Sequence, residues 1–405
     1  MIILVLNCGS SSIKYQVLDM GAADNSLLAK GQVERIGLND GNLVHKPVGK
    51  PKFEIVKAIP DHTVGINLIL NAIVDPNHGV IESFSDINAV GHRVAHGGEY
   101  FSDSAIVSQT VKQQIESCIE LAPLHNPANL KGILAIENLL PTIQQVAVFD
   151  TSYHQTIPAE NYLYAIPGSY YEDLRIRKYG FHGTSHKFVA KKACKMYDVD
   201  FENSKIITCH IGNGGSITAI KNGKSINTTM GFTPVDGLMM GTRCGAIDPS
   251  VLLYIADKQG YSISRLNNLI NKESGLLGVG EVSSDMRDNV KAATDGNKKA
   301  QLALKIFNNR VKEYIGSYAA LLGGVDMVIF TGGIGEHDAD VRHGACENMQ
   351  YMGIEINEQV NFDAWGIDVM ISTPESKVKV VVTKTDEEYV IASDTYRLLN
   401  TKFEE

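Results

Sequence analysis

The chain has 405 residues, 44% hydrophobic and 20% charged, an ordinary mix for a globular protein with a sizeable core. A formal net charge of −9 with no long basic run argues against nucleic acid or an anionic membrane surface as a partner, and no apolar run approaches a membrane span. The six cysteines (Cys8, Cys118, Cys194, Cys209, Cys244 and Cys346) are scattered without a C-x-x-C pair. That fits reduced thiols in a cytoplasm better than a disulfide frame or a zinc site.

Met1 to Gly9 is apolar, with no basic region before it and no cleavage-like site soon after, and reads as a first strand rather than a signal peptide. Ile2 to Leu6 and Ile13 to Leu18 flank Asn7-Cys8-Gly9-Ser10-Ser11-Ser12, a strand–turn–strand pattern. Asn126-Pro127 opens a helix with an apolar stripe at Leu130, Ile133, Leu134 and Leu140, ended by Pro141. Val146 to Phe149 reads as a buried strand with Asp150 just past its end. Thr184 or Ser185 can cap a helix through Phe188, Val189 and Met196. Lys205 to Thr208, then His210 to Ser216, then Ile217 to Ile220 repeat the first strand–turn–strand pattern half a chain later. The pair indicates either two related lobes or two ordinary hairpins. A long helix from about Lys298 carries Leu302, Ile306, Tyr314, Ile315 and Tyr318 toward Gly323-Gly324. The strand Met327 to Phe330 leads into Thr331-Gly332-Gly333-Ile334-Gly335-Glu336 and a helix over Asp338 to Met349. After the strand Val378 to Val382, Thr385 and Glu388 have the spacing of a capping box for the last helix. Strands alternating with helices predict an α/β fold.

Three Gly-rich turns follow apolar strands, at Gly9 to Ser12, Gly212 to Ser216 and Gly332 to Gly335. Glycine lets backbone N–H groups approach an oxyanion, and Ser or Asn adds donors, so three such turns in one chain point to a nucleotide. Gly223-Lys224-Ser225 is no P-loop, because Thr218 stands where the motif requires glycine, and it reads as a hairpin turn. There is no protein-kinase H-R-D and no H-E-x-x-H. The remaining polar candidates are Arg93, His125, Asp150, His182, Arg243 and Glu387. Taken singly, each has a plain structural explanation: a surface ion pair, a loop histidine, a turn-forming aspartate, or an acid favoured by a helix N-terminus.

Together these segments resemble the acetate and propionate kinase family. The matching stretches are Asn7 to Tyr15, Gly91 to Glu99, Ala122 to Pro127, Phe149-Asp150-Thr151, Arg177 to His186, His210 to Ser216, Met240 to Arg243, Asn271 to Leu276, Phe330 to Glu336 and Thr385 to Glu388. They run from end to end in the family's order. The resemblance implies the duplicated actin-like, sugar-kinase-like ATPase fold, with two related lobes and an active-site cleft between them. It divides the chain into an N-terminal lobe of residues 1–150 plus 385–405 and a C-terminal lobe of residues 151–384, the latter carrying the dimer contacts. It also implies a cytoplasmic homodimer that uses Mg²⁺, with Mn²⁺ able to substitute, and ATP/ADP to phosphorylate acetate or another short-chain carboxylate.

Carried over by position, Asn7, Ser10, Ser12 and Lys14 form a first phosphate loop, and His210, Gly212, Asn213 and Gly214 a second. Asp285, Met286, Arg287, Gly332, Gly333, Ile334 and Gly335 lie around the nucleotide. Arg93, His182 and Arg243 surround the transferring phosphoryl, Asp150 is catalytic, and Asn7 and Glu387 are associated with the metal. Ala95, Leu124, His125, Phe181 and Pro234 face the acid. The chemistry suits this set: a carboxylate needs no strong base, so the difficulty is bringing one anion up to another, which arginines offset. Ala95 stands where many acetate kinases carry Val, which leaves room for a methylene and predicts reaction with both acetate and propionate. Cys244, Ala246 and His337 replace the family's usual Ser, Asp and Asn, and Ser152 its usual Ala. Alternatives on the same fold are a propionate, butyrate or sugar kinase, or a non-enzymatic nucleotide-binding module.

Overall fold

A computed structural model of the protein describes residues 1–21 and 26–400. It divides into two units, Met1–Gln155 with the segment from Asp386 onward, and Thr156–Thr385. The first division falls a few residues past the one expected at 150/151, within the short turn Ser152–Thr156. Residues 401–405, assigned from sequence to the N-terminal lobe, lie outside the described residues.

The first unit is built on β1 (Ile2–Cys8), β2 (Ser12–Asp19), β3 (Ser26–Glu34), β4 (Gly41–Pro47), β5 (Phe53–Lys57), β6 (Ile87–Val94), β7 (Ala105–Ile106) and β8 (Gln144–Phe149), in the order β5-β4-β3-β2-β1-β6-β8-β7. β1 is antiparallel to β2 and parallel to β6, which is parallel to β8. β1 is apolar from Ile2 to Leu6 because both its faces are covered there. Leu4, Leu6 and Cys8 pack with residues of the helices His62–Ile73 and Asn126–Leu139. Ile3 and Val5 pack on the other face with Ile391, Ala392 and Leu399 of the helix Glu387–Asn400. That helix lies close to the sheet because Gly91 has no side chain: a Cβ there would stand 2.6 Å from Thr395 Oγ1.

The second unit contains β9 (Lys205–Ile211), β10 (Gly215–Lys221), β11 (Lys224–Thr228), β12 (Met327–Thr331), β13 (Val369–Met370) and β14 (Lys379–Val382), in the order β11-β10-β9-β12-β14-β13. Its pairings repeat those of β3-β2-β1-β6-β8-β7 one for one, parallel and antiparallel alike. The two strand–turn–strand patterns are therefore equivalent parts of a duplicated unit. Ile207, Cys209 and Ile211 pack with Phe307, Val311 and Ile315 of the long helix Lys298–Leu322, which ends at Gly323 in the left-handed region, φ 69°. Asn222 and Gly223, with φ 50° and 76°, make the tight turn read at Gly223-Lys224-Ser225.

Four local expectations change. Leu134 and Met196 are exposed, so the buried stripes run through Ile133 and Ile136, and through Val189, Ala190 and Ala193. Neither Thr184 nor Ser185 caps the helix Gly183–Met196; His182 occupies the N-cap position without a side-chain cap. Gly332–His337 is itself a helical turn, and the following helix is the shorter Ala339–Cys346. The last helix is capped by Asp386, whose Oδ1 accepts from Tyr389 N at 2.9 Å, because the hydroxyl of Thr385 is engaged with Ser185 Oγ at 2.8 Å.

Candidate active site

In the first unit, the ends of β1, β6 and β8 bring Asn7, Arg93 and Asp150 together. The Arg93 guanidinium donates from Nε and Nη2 to both oxygens of Asp150, at 3.1 and 2.6 Å, and from Nη1 to Asn7 Oδ1 at 3.3 Å. Asp150 is almost fully buried. Its charge, ahead of opposing burial, raises Arg93 above its ordinary range. Glu387, at the start of the last helix, is held above the usual carboxylate range by burial, with Arg93 pulling it down and Asp150 pushing it up. Lys14 is exposed and also pulls Glu387 down. Ser10 is exposed and Ser12 half-buried on the first turn.

That turn and the segment after β6 are braced by residues that the sequence reading did not name as site candidates. Asn129 donates to Cys8 O at 2.7 Å and accepts from Ala95 N at 3.0 Å. Asn126 accepts from His96 N at 3.1 Å and donates to His96 O at 2.9 Å. His62 Nε2 meets Gly9 O at 2.7 Å. The available signal was two asparagines one helical turn apart on either side of Pro127. Ala95 is buried, whereas Leu124 is 70% exposed and His125 is also exposed, so Leu124 is not a buried wall within its own unit.

In the second unit the end of β9 carries His210 into Gly212-Asn213-Gly214, where Gly212 N donates to Gly214 O at 3.0 Å. Thr208 and His210 lie on the opposite face of β9 from Cys209 and Ile211, against the helix Gly183–Met196. His182 stands at its N-cap with φ 57°, a conformation that costs a non-glycine residue energy. Its ring stacks on His210 with centroids 4.3 Å apart, and its Nδ1 meets Ser216 Oγ at 2.9 Å. Ser185 Oγ meets His210 Nδ1 at 2.8 Å. Arg243 Nη1 donates to Pro234 O at 3.2 Å and would lie 3.2 Å from a Cβ at Gly214. Burial lowers Arg243 from its ordinary range, and a guanidinium stays charged there. Phe181 packs with Met230 and Met240.

The third Gly-rich segment is held from inside. Glu336 Oε1 accepts from Gly332 N, Thr331 Oγ1 and Thr385 N at 3.0, 3.2 and 3.1 Å. Arg342, fully buried, donates to Gly335 O at 2.9 Å. Gly332 has φ 78°, and a Cβ there would stand 2.8 Å from Ile211 O, so only glycine fits. Asp285 and Arg287 pair at the surface at 2.6 Å, and Met286 between them is buried. His337 Nδ1 meets Gly333 O at 2.9 Å and its ring packs edge-on to Trp365. Cys244 and Ala246 leave Arg243 without a carboxylate three residues away.

The model of the acetokinase family matches residues 2–393. The chain belongs to that family. Among curated relatives, the acetate kinase of Bacteroides thetaiotaomicron is 52% identical over 398 residues, 98% of this chain and 99% of the relative. That of Parabacteroides distasonis is 50% identical over 400 residues, 99% and 100% of the two chains. Among solved structures, Porphyromonas gingivalis acetate kinase superposes with a TM-score of 0.95 at 48% identity, covering 98% of this chain and 99% of that one. A propionate kinase from Francisella tularensis gives 0.89 at 40% identity, with the same coverage. Family membership makes the chain a phosphotransferase with a carboxyl acceptor on the duplicated actin-like fold, in accord with the repeated sheet topology. The described cysteines are all free, and no described helix is long and apolar enough to cross a membrane.

Proposed function

We propose that the chain is an acetate kinase that moves the γ-phosphoryl of ATP in line onto acetate, and onto propionate, giving acyl phosphate and ADP. The observation that carries this reading is the half-buried Arg93 guanidinium between Asn7 and Asp150, in a chain that matches the family model over residues 2–393. A carboxylate nucleophile arrives ionised, so the barrier is repulsion between anions. Arg93 and Arg243 supply permanent positive charge for the acceptor carboxylate and the equatorial phosphoryl oxygens, and His182 supplies a hydrogen bond to them. Both oxygens of Asp150 accept from Arg93; the carboxylate orients the guanidinium and is not the proton acceptor. The turns at Gly9 to Ser12 and Gly212 to Gly214 hold phosphates, and Asp285, Met286, Arg287 and Gly332 to Gly335 hold the adenosine.

The oxygen donors Asn7, Asp150 and Glu387 suit Mg²⁺. No described group of three or more His, Cys, Asp or Glu side chains forms a metal site by itself. Mg²⁺ at nucleotide sites is commonly bound by one or two carboxylates plus substrate phosphates. The ion, or Mn²⁺ in its place, would neutralise phosphate charge, and Glu387, raised by burial beside Asp150, gains a cation. A homodimer is proposed from an exposed apolar face, and a cytoplasmic setting from the free thiols. The helices Pro249–Gln259 and Ile263–Lys272 bury no residue, while Leu253, Tyr254 and Ile263 are 71, 65 and 88% exposed.

Hydroxamate trapping of acyl phosphate with acetate, propionate and butyrate, ATP and Mg²⁺ tests this reading. Product from acetate and propionate is expected, with butyrate poorer. No product from any acid, with ATP still bound, would leave a nucleotide-binding module.

A further inference from the structure

Behind His182 lies a buried chain of side-chain hydrogen bonds whose direction can be worked out. Thr208 Oγ1 meets His186 Nδ1 at 2.6 Å, His186 Nε2 meets Ser216 Oγ at 2.7 Å, and Ser216 Oγ meets His182 Nδ1 at 2.9 Å. Thr208, His186 and Ser216 are fully buried. A neutral imidazole donates from one nitrogen and accepts at the other, so one proton placement fixes all the rest. Thr208 decides it. Among the described residues, its hydroxyl has His186 Nδ1 as its only hydrogen-bond partner. If His186 Nδ1 donated to Thr208, the threonine proton would be a buried donor without an acceptor. The opposite sense leaves only spare lone pairs, the lesser cost.

We infer that Thr208, His186 and Ser216 are positioning residues that hold His182 as the neutral Nε2–H tautomer. Thr208 O–H donates to His186 Nδ1, His186 Nε2–H donates to Ser216 Oγ, and Ser216 O–H donates to His182 Nδ1. The proton of His182 then sits on Nε2, making that nitrogen a hydrogen-bond donor without a net charge. This suits a group meant to stabilise phosphoryl oxygens, and it does not need a solvent proton to prepare it. The role in catalysis rests on the kinase reading above; the tautomer does not.

The test is two-bond ¹⁵N–¹H correlation NMR on the full chain with ¹⁵N-histidine, the His182 ring being assigned by its loss in His182→Gln. The unaltered protein is expected to show His182 and His186 as neutral Nε2–H rings. In Thr208→Val, His182 is expected to become a mixture of tautomers and kcat to fall roughly tenfold, about the loss of one net hydrogen bond. Thr208→Ser is expected to restore both. Thr208→Val and Ser216→Ala, acting on one relay, should not multiply when combined. A His182 ring protonated on Nδ1, or on both nitrogens at neutral pH, overturns the inference without any variant. So does a folded Thr208→Val protein whose His182 pattern is unchanged. Absence of acyl phosphate from the unaltered protein would instead fail the kinase reading and leave the tautomer assignment standing.

Discussion

The two units use one sheet for different chemistry at equivalent places. β1 and β9 each turn into a Gly-rich loop, and each is covered on one face by a single helix, Glu387–Asn400 in the first unit and Gly183–Met196 in the second. At the start of the first helix stand Glu387 and Glu388, both raised by burial. At the start of the second stands His182, backed by His186 and His210. The first unit therefore balances full charges, with one guanidinium against carboxylates. The second arranges hydroxyl–imidazole hydrogen bonds and backbone amides around a single guanidinium, Arg243. A duplicated scaffold supplies strand ends and helix starts, and the side chains placed there decide whether a copy manages charge or direction.

Breaking the charged copy should do the most damage. Arg93→Ala leaves Asp150 buried without its cation and removes charge from the transferring group, so kcat/KM for acetate should fall about 10³-fold or more, read by hydroxamate trapping. Breaking the backbone copy should be milder and selective. Gly332→Ala forces a methyl toward Ile211 O at φ 78°, and the KM for ATP should rise by roughly 10- to 100-fold, with the KM for acetate changing much less.

Glu387→Gln sharpens the comparison because stability and activity should move in opposite directions. Below the ordinary Glu range the side chain is neutral in both folded and unfolded chains and carries no penalty. As pH rises, the unfolded chain ionises first, and the folded state loses stability until its own raised pKa is passed. The variant should lose activity yet melt roughly 2–4 °C higher at pH 7, what about 1 kcal/mol gives in a unit of this size. That gain should vanish near pH 4, and melting curves at the two pH values decide it. The smallest effect belongs to Ala95→Val, which should lower the propionate-to-acetate ratio of kcat/KM by about tenfold, the worth of a methylene.

Arg93, Asp150 and Glu387 each had a plain reading alone and became candidates through the family resemblance of their segments, and the first unit brings their charges together. The strands β1, β8, β9, β12 and β14 were legible too, because burial on both faces writes continuous apolar runs, and β2 and β10 were read beside them, whereas β3 to β7 and β13 were not read. What was missed works by hydrogen bonds between residues far apart in the chain. Asn129 reaches Cys8 O, Glu336 reaches Thr385 N, and Arg342 reaches the carbonyls of Gly335, Asn361 and Ala364. No local pattern marks a side chain whose partner is set by the fold. The cap of the last helix failed for the same reason, since Ser185 takes the hydroxyl of Thr385.

The division of labour between the copies is tested most directly by Arg93→Ala assayed two ways, acyl phosphate formation from acetate and ADP affinity by isothermal titration calorimetry. The account predicts that acyl phosphate formation is lost while the ADP Kd stays within about threefold of the unaltered protein, a difference under about 1 kcal/mol. Retained acyl phosphate formation, or loss of ADP binding in a folded protein, would contradict it.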